Sequence, residues 1–288
     1  MNLLSAVLSF LALSAAPAVA VRPSPGCGKT PRLVNSGSTT TPLRMTINGK
    51  QREYFVRLPP NYNNNNPYRL IFTLHALGGN AAQVISGQGG YVPYYGLANL
   101  VNDTAGAVFV VPNGLNNGWA NQGGEDVTFL RSVITAVEDD LCIDQDRRFS
   151  TGFSYGGAMS YSLACSLGSE LRAVAALSGN PMISGCSGGT GSVAYYGQHG
   201  TQDFVLPISG GREMRDRFLR NNGCTPGQQE APDPPRGSNA KVKTVYQGCQ
   251  KPVVWVVFDG QHTPTPRENG QADTWTPRET WEFFSQFE

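Results

Sequence analysis

The stretch Thr151-Gly152-Phe153-Ser154-Tyr155-Gly156-Gly157 holds the residues most able to do chemistry. A serine flanked at two residues on each side by glycine is the pattern of a nucleophile elbow. Such a turn forces the serine into a strained backbone conformation, and only small neighbours fit around it. It also raises the hydroxyl at a helix N-terminus, where developing negative charge is stabilised. Residues 148–151 before it read as a strand and residues 158–167 after it as a helix. The chemistry implied is acyl transfer through Ser154.

A free serine hydroxyl is a poor nucleophile at neutral pH, so a base is required. The chain has three histidines, His75, His199 and His262. His75 precedes the serine in a loop, and His199 lies in the same turn as the best candidate acid. Only His262 follows both nucleophile and acid, which is the order Ser…Asp…His of α/β-hydrolases. Among the carboxylates between Ser154 and His262, Asp203 follows the end of a strand, where it can orient an imidazole. Asp259 is the rival, but it sits three residues from His262 on the same strand end and is badly placed to reach around the ring. The expected triad is therefore Ser154, Asp203 and His262. The oxyanion donors expected from position are the amides of Tyr155 and of Leu77, the latter in the loop Ala76-Leu77-Gly78-Gly79-Asn80.

These residues need a scaffold whose strands end on one side. Residues 69–75, 107–112, 173–178, 192–197 and 253–258 are nearly continuous apolar runs, as expected of strands buried on both faces. Residues 54–58 read as a further strand. Helical spacing marks residues 125–141, 211–222 and 276–287. Strands alternating with helices predict one α/β domain with a mainly parallel sheet and helices on both faces. Residues 226–239 are polar and Pro-rich and are expected to lack regular structure.

At 288 residues, with net charge +1 and 15% charged residues, the chain has no basic run to meet nucleic acid or an anionic membrane. Residues 3–13 form an apolar segment too short to span a bilayer, followed by Ala18-Val19-Ala20. Residues 1–20 are thus expected to be a signal peptide and 21–288 the mature esterase domain, secreted and extracellular. Six cysteines, an even number and none in CxxC spacing, favour disulfides over a metal site. Many pairings are open; the preferred set is Cys27–Cys186, Cys142–Cys165 and Cys224–Cys249. Asn102-Asp103-Thr104 is the one glycosylation sequon.

With those motifs in hand, the chain resembles the secreted fungal feruloyl esterases of types C and D in carbohydrate esterase family one, and their polyhydroxybutyrate-depolymerase-like relatives. The resemblance rests on His75-Ala76-Leu77-Gly78-Gly79-Asn80, Glu125-Asp126-Val127-Thr128-Phe129-Leu130 and Cys142-Ile143-Asp144. It continues through Gly152-Phe153-Ser154-Tyr155-Gly156-Gly157, His199-Gly200-Thr201-Gln202-Asp203 and Gly260-Gln261-His262. It implies an α/β-hydrolase fold, the triad Ser154, Asp203 and His262, and no metal or organic cofactor. The implied activity is release of ferulate or p-coumarate from feruloylated arabinoxylan or pectin, or from small phenolic esters, by a monomer. Ala76 stands where the family usually has Gly. Trp119, Tyr155 and Trp275 are candidate contacts for a phenolic acyl group, with a place in the core as the alternative for each. Acetylxylan esterase and polyester depolymerase share the same machinery, and a catalytically silent binding module would lack a triad member.

Overall fold

Apolar runs with no polar face must be covered on both sides, and the sheet of this protein is built that way. The computed structural model describes residues 21–33, 40–101, 106–186 and 191–287. The expected signal peptide (1–20) and the Asn102 sequon fall outside the described residues. The strands are β1 (Leu43–Ile47), β2 (Lys50–Arg57), β3 (Tyr68–Leu74), β4 (Ala107–Pro112), β5 (Ile143–Phe153), β6 (Ala173–Leu177), β7 (Ala194–Gly200), β8 (Lys241–Tyr246) and β9 (Val253–Phe258). They form one sheet in the order β1-β2-β4-β3-β5-β6-β7-β9-β8. From β4 to β9 every neighbouring pair is parallel; β2 joins β4, and β8 joins β9, antiparallel at the two ends. Every residue of β3, β4, β6, β7 and β9 is buried.

The helices are α1 (Ala81–Ser86), α2 (Glu125–Asp140), α3 (Tyr155–Leu167), α4 (Ile208–Asn221) and α5 (Thr276–Ser285). One face of the sheet packs Phe129, Val133, Met159, Leu163, Met214 and Phe218 from α2, α3 and α4. The other packs Val84, Ile85, Tyr94, Tyr95, Phe283 and Phe284 from α1, the short turn Pro93–Asn99 and α5. Each such buried phenylalanine contributes about 1.5–3 kcal/mol of transfer free energy. The edge strands β1 and β8 and the short α1 were not marked by the apolar runs. Only Thr244 and Tyr246 of β8 are buried, so its sequence alternates instead of running apolar.

The disulfides correct the expected set. Cys27 pairs with Cys142 and Cys165 with Cys186, not Cys27 with Cys186 or Cys142 with Cys165; Cys224 pairs with Cys249. The N-terminal arm runs along the start of β5, where the Ser24 amide donates to the Ile143 carbonyl at 2.8 Å and the Gly26 amide to the Glu138 carbonyl at 2.7 Å. That lays Cys27 on Cys142. The loop after β6 turns outward over α3, with the Ser162 hydroxyl donating to the Ser184 carbonyl at 3.3 Å, and so brings Cys186 to Cys165. Residues 226–239 have no helix or strand, yet Glu230 anchors them through Arg212, Arg215 and the Trp255 indole, the last at 2.9 Å.

Candidate active site

In a parallel sheet all strands end on one side, so the loops after β3, β5, β7 and β9 meet at one edge. The order β4-β3-β5 reverses direction of winding between β3 and β5, the switch point where doubly wound sheets bind ligands. Ser154 stands there, between β5 and α3, with φ 57° and ψ −115°. A non-glycine residue holds such a conformation only when its surroundings enforce it. Here the Ser154 amide donates to the Leu177 carbonyl at 2.9 Å, and its carbonyl accepts from Ala158 at 2.9 Å. The glycines on either side are required by contact. A Cβ on Gly152 would lie 2.5 Å from the Gly156 carbonyl carbon, and one on Gly156 would overlap the Leu74 carbonyl.

Asp203 lies just beyond β7 and His262 just beyond β9, and the structure brings them together. His262 Nδ1 hydrogen-bonds Asp203 Oδ2 at 2.6 Å, and a neutral ring that donates there carries its lone pair on Nε2. The other carboxylate oxygen accepts the amides of Val205 and Leu206 at 3.0 and 2.8 Å. Burial alone would raise the carboxyl's pKa. The hydrogen bonds from His199, His262 and the Leu206 amide outweigh it and hold Asp203 well below the usual carboxylate range. The His262 ring packs against Phe153, with centroids 4.5 Å apart, so the imidazole sits beside the residue that precedes Ser154.

The other two histidines are fixed elsewhere. His75 is fully buried; its Nδ1 faces the Ala76 carbonyl at 2.8 Å and its Nε2 accepts the Gly114 amide at 2.9 Å. Burial, only partly opposed by the Ala76 contact, lowers its pKa to about 4, so it is a neutral brace for the loop after β3. His199 is equally buried, with Nε2 at 2.7 Å from the Leu206 carbonyl and 3.2 Å from Asp203 Oδ2. Asp259 is held by Gln202 Nε2 at 2.6 Å and the Asn239 amide at 2.9 Å, not by His262.

Of the expected oxyanion donors, Tyr155 is the first residue of α3, so its amide has no intrahelical partner. The Leu77 amide has no hydrogen-bond partner among the described residues. Neighbouring amides are all engaged: Ala76 with the Tyr91 hydroxyl at 2.8 Å, Gly78 with the Asn117 carbonyl at 2.8 Å, and Gly79 with the Ala76 carbonyl at 3.1 Å. The loop thus keeps one amide open. Trp119, expected as a candidate substrate contact, is instead in the core with no exposed surface. Its indole donates to the His75 carbonyl at 2.8 Å and packs on that ring, bracing the loop from beneath. Trp275 is half-buried against Phe258 and Lys241 at the β8–β9 end of the sheet, away from β5. Tyr155 is half-exposed, with its ring edge against Gly118. Tyr91 and Tyr95, whose hydroxyls hold backbone at this edge, carry no sequence signal that marks them.

No family model matches the chain. It is 55% identical to feruloyl esterase D of Neurospora crassa over 96% of this chain and 95% of that one. It is 49% identical to a probable feruloyl esterase C of Aspergillus niger over 96% of both. The chain belongs to the fungal feruloyl esterases of types C and D. It is a carboxylic ester hydrolase. Among solved structures, an acetyl xylan esterase from Aspergillus awamori superposes with TM-score 0.60 at 15% identity, covering 85% of this chain and 99% of that one. A feruloyl esterase module from Clostridium thermocellum, complexed with sinapinate, superposes with TM-score 0.54 at 16% identity, over 88% and 91%. At these identities the two structures speak for the fold, the α/β serine hydrolase fold that this feruloyl esterase shares.

Proposed function

We propose that the protein releases ferulate or p-coumarate from plant cell-wall polysaccharides such as arabinoxylan or pectin, through an acyl-enzyme on Ser154. The observation that carries the reading is the His262 imidazole, hydrogen-bonded to Asp203 at Nδ1 and packed on Phe153, with its Nε2 free to act as a base beside the strained elbow. His262 Nε2 takes the Ser154 proton as Oγ bonds to the ester carbonyl carbon. The Leu77 and Tyr155 amides hold the resulting oxyanion. Collapse breaks the bond to the sugar oxygen, which leaves with the proton from His262. Water, deprotonated by the same nitrogen, then attacks the acyl carbon and frees the acid and Ser154.

Two features of the surroundings support an aromatic acid esterified to a sugar. Leu77, Met182, Phe204 and Val205 are 69%, 81%, 81% and 65% exposed, and they lie on the loops after β3, β6 and β7, which leave the sheet at the same edge as Ser154. Such exposed apolar side chains suit a phenylpropenoyl group. Beside the oxyanion loop lies a polar cavity of about 510 Å³, with Arg44, Gln51, Glu53, Asn80, Asn113 and Asn117 in its wall, whose chemistry suits hydroxyl-rich carbohydrate. The protein is taken to act outside the cell as a monomer, after loss of residues 1–20 and with glycan on Asn102. Its three disulfides fit that setting, and no described helix is long and apolar enough to cross a membrane.

The test is hydrolysis of methyl ferulate beside 4-nitrophenyl acetate, with Ser154→Ala as control. Release of ferulate by the wild type alone supports the reading. Cleavage of acetate only moves the substrate to acetyl esters, and full activity in Ser154→Ala overturns the nucleophile.

A further inference from the structure

The Tyr95 hydroxyl joins the two backbone ends that carry the site. It donates to the carbonyl of Leu74, the last residue of β3, at 2.7 Å. It accepts the amide of Phe153, the last residue of β5, at 3.0 Å. Beyond those residues the chains part, one into the loop with the open Leu77 amide and the other into the Ser154 elbow. The Tyr91 hydroxyl accepts the amide of Ala76, adjacent to Leu77, and its ring meets Tyr95 edge-on at 5.6 Å. Both tyrosines are buried.

The segment that delivers them is strained. Tyr94 and Tyr95 have φ of 53° and 55°, a left-handed conformation that bulky side chains avoid. Two such residues in a row persist only because the surroundings enforce them, and strain of this kind clusters at functional sites. What the strain secures is the reach of a hydroxyl into the sheet edge.

We infer that Tyr95, assisted by Tyr91, is a positioning residue that sets the separation of the two oxyanion donors, Leu77 on the β3 loop and Tyr155 on the β5 elbow. The inference rests on the serine esterase reading above. Because an oxyanion exists only in the tetrahedral state, loss of this spacing acts on kcat and leaves substrate binding nearly intact.

The experiment compares Tyr95→Phe and Tyr91→Phe with wild type for kcat, KM and thermal midpoint on methyl ferulate. It also measures inhibition by phenylboronic acid, which forms a tetrahedral adduct on serine. For Tyr95→Phe, kcat is expected to fall about 10- to 100-fold with KM within about twofold, and boronate affinity to fall in parallel. For Tyr91→Phe the same pattern is expected at about 3- to 10-fold. A lower midpoint with unchanged kcat and boronate affinity would reduce Tyr95 to a structural residue and overturn the inference. If Tyr95→Phe does not fold, Tyr91→Phe decides by the same two readouts. Ser154→Ala separates the layers: its activity sinks the underlying reading, whereas an inactive Ser154→Ala beside wild-type-like tyrosine variants sinks only this one.

Discussion

Replacing Asp203 by asparagine changes one atom and reverses the hydrogen bonding of His262, the proposed base. Asp203 Oδ1 accepts two amides, from Val205 at 3.0 Å and Leu206 at 2.8 Å, so the asparagine oxygen is held on that side. The new NH₂ then faces His262 Nδ1 at the position where a carboxylate oxygen now accepts at 2.6 Å. It must donate, Nδ1 must accept, and the imidazole proton moves to Nε2, where a base needs a lone pair. The His199 Nε2, 3.2 Å from the same oxygen, adds a donor facing a donor. The wrong tautomer costs about 10³–10⁴-fold in kcat, or roughly 4–5.5 kcal/mol of activation free energy. The assay is ferulate release from methyl ferulate at saturating substrate, with the thermal midpoint recorded to show that the variant is folded. Asp259→Asn is the control, since Asp259 bonds Gln202 and Asn239, and its kcat is expected within about twofold of wild type. A folded Asp203→Asn that loses less than about tenfold, or an Asp259→Asn that loses more, would refute the assignment of the acid.

Three further outcomes follow from other parts of the molecule. His75 is neutral in the fold with a pKa of about 4 against an ordinary 6.5, so the unfolded chain takes up the proton first. Stability is full above about pH 6.5 and drops by about 3 kcal/mol as pH falls to 4, a slope in urea unfolding that His75→Gln should remove and whose persistence would discount the burial argument. Gly156→Ala drives a methyl group into the Leu74 carbonyl and should cost about 1–3 kcal/mol together with most of the activity; a variant of wild-type stability would contradict that packing. Peptide mapping without reduction should recover Cys27 linked to Cys142 and Cys165 to Cys186, and recovery of Cys27–Cys186 would contradict the course of the arm.

The triad candidates were legible because each depends on local order in the chain. The Gly152-x-Ser154-x-Gly156 spacing encodes a turn, and the buried runs before Asp203 and His262 announce strand ends. The histidine choice followed from chain order, and the structure adds the reason that His75 and His199 are buried in other hydrogen bonds. Contacts between distant segments were not legible. Nothing in the sequence tells that the arm crosses β5 and not the loop at Cys186, and this is where the disulfide pairing went astray. Trp119 sits in a polar, glycine-rich loop that reads as surface, yet its indole is drawn inward by the His75 carbonyl. Tyr91 and Tyr95 went unmarked in a Pro- and Gly-containing segment, because a hydroxyl's partners are set by the fold alone.

The most direct test of the account is to quench the reaction of enzyme with excess methyl ferulate within its first turnover and map the protein by mass spectrometry. An acyl-enzyme on Ser154 predicts one feruloyl group on the peptide that contains Ser154, gone after longer incubation without fresh substrate and never formed in Ser154→Ala. Turnover with no acylated Ser154, or a feruloyl group on another residue that forms equally in Ser154→Ala, would contradict it.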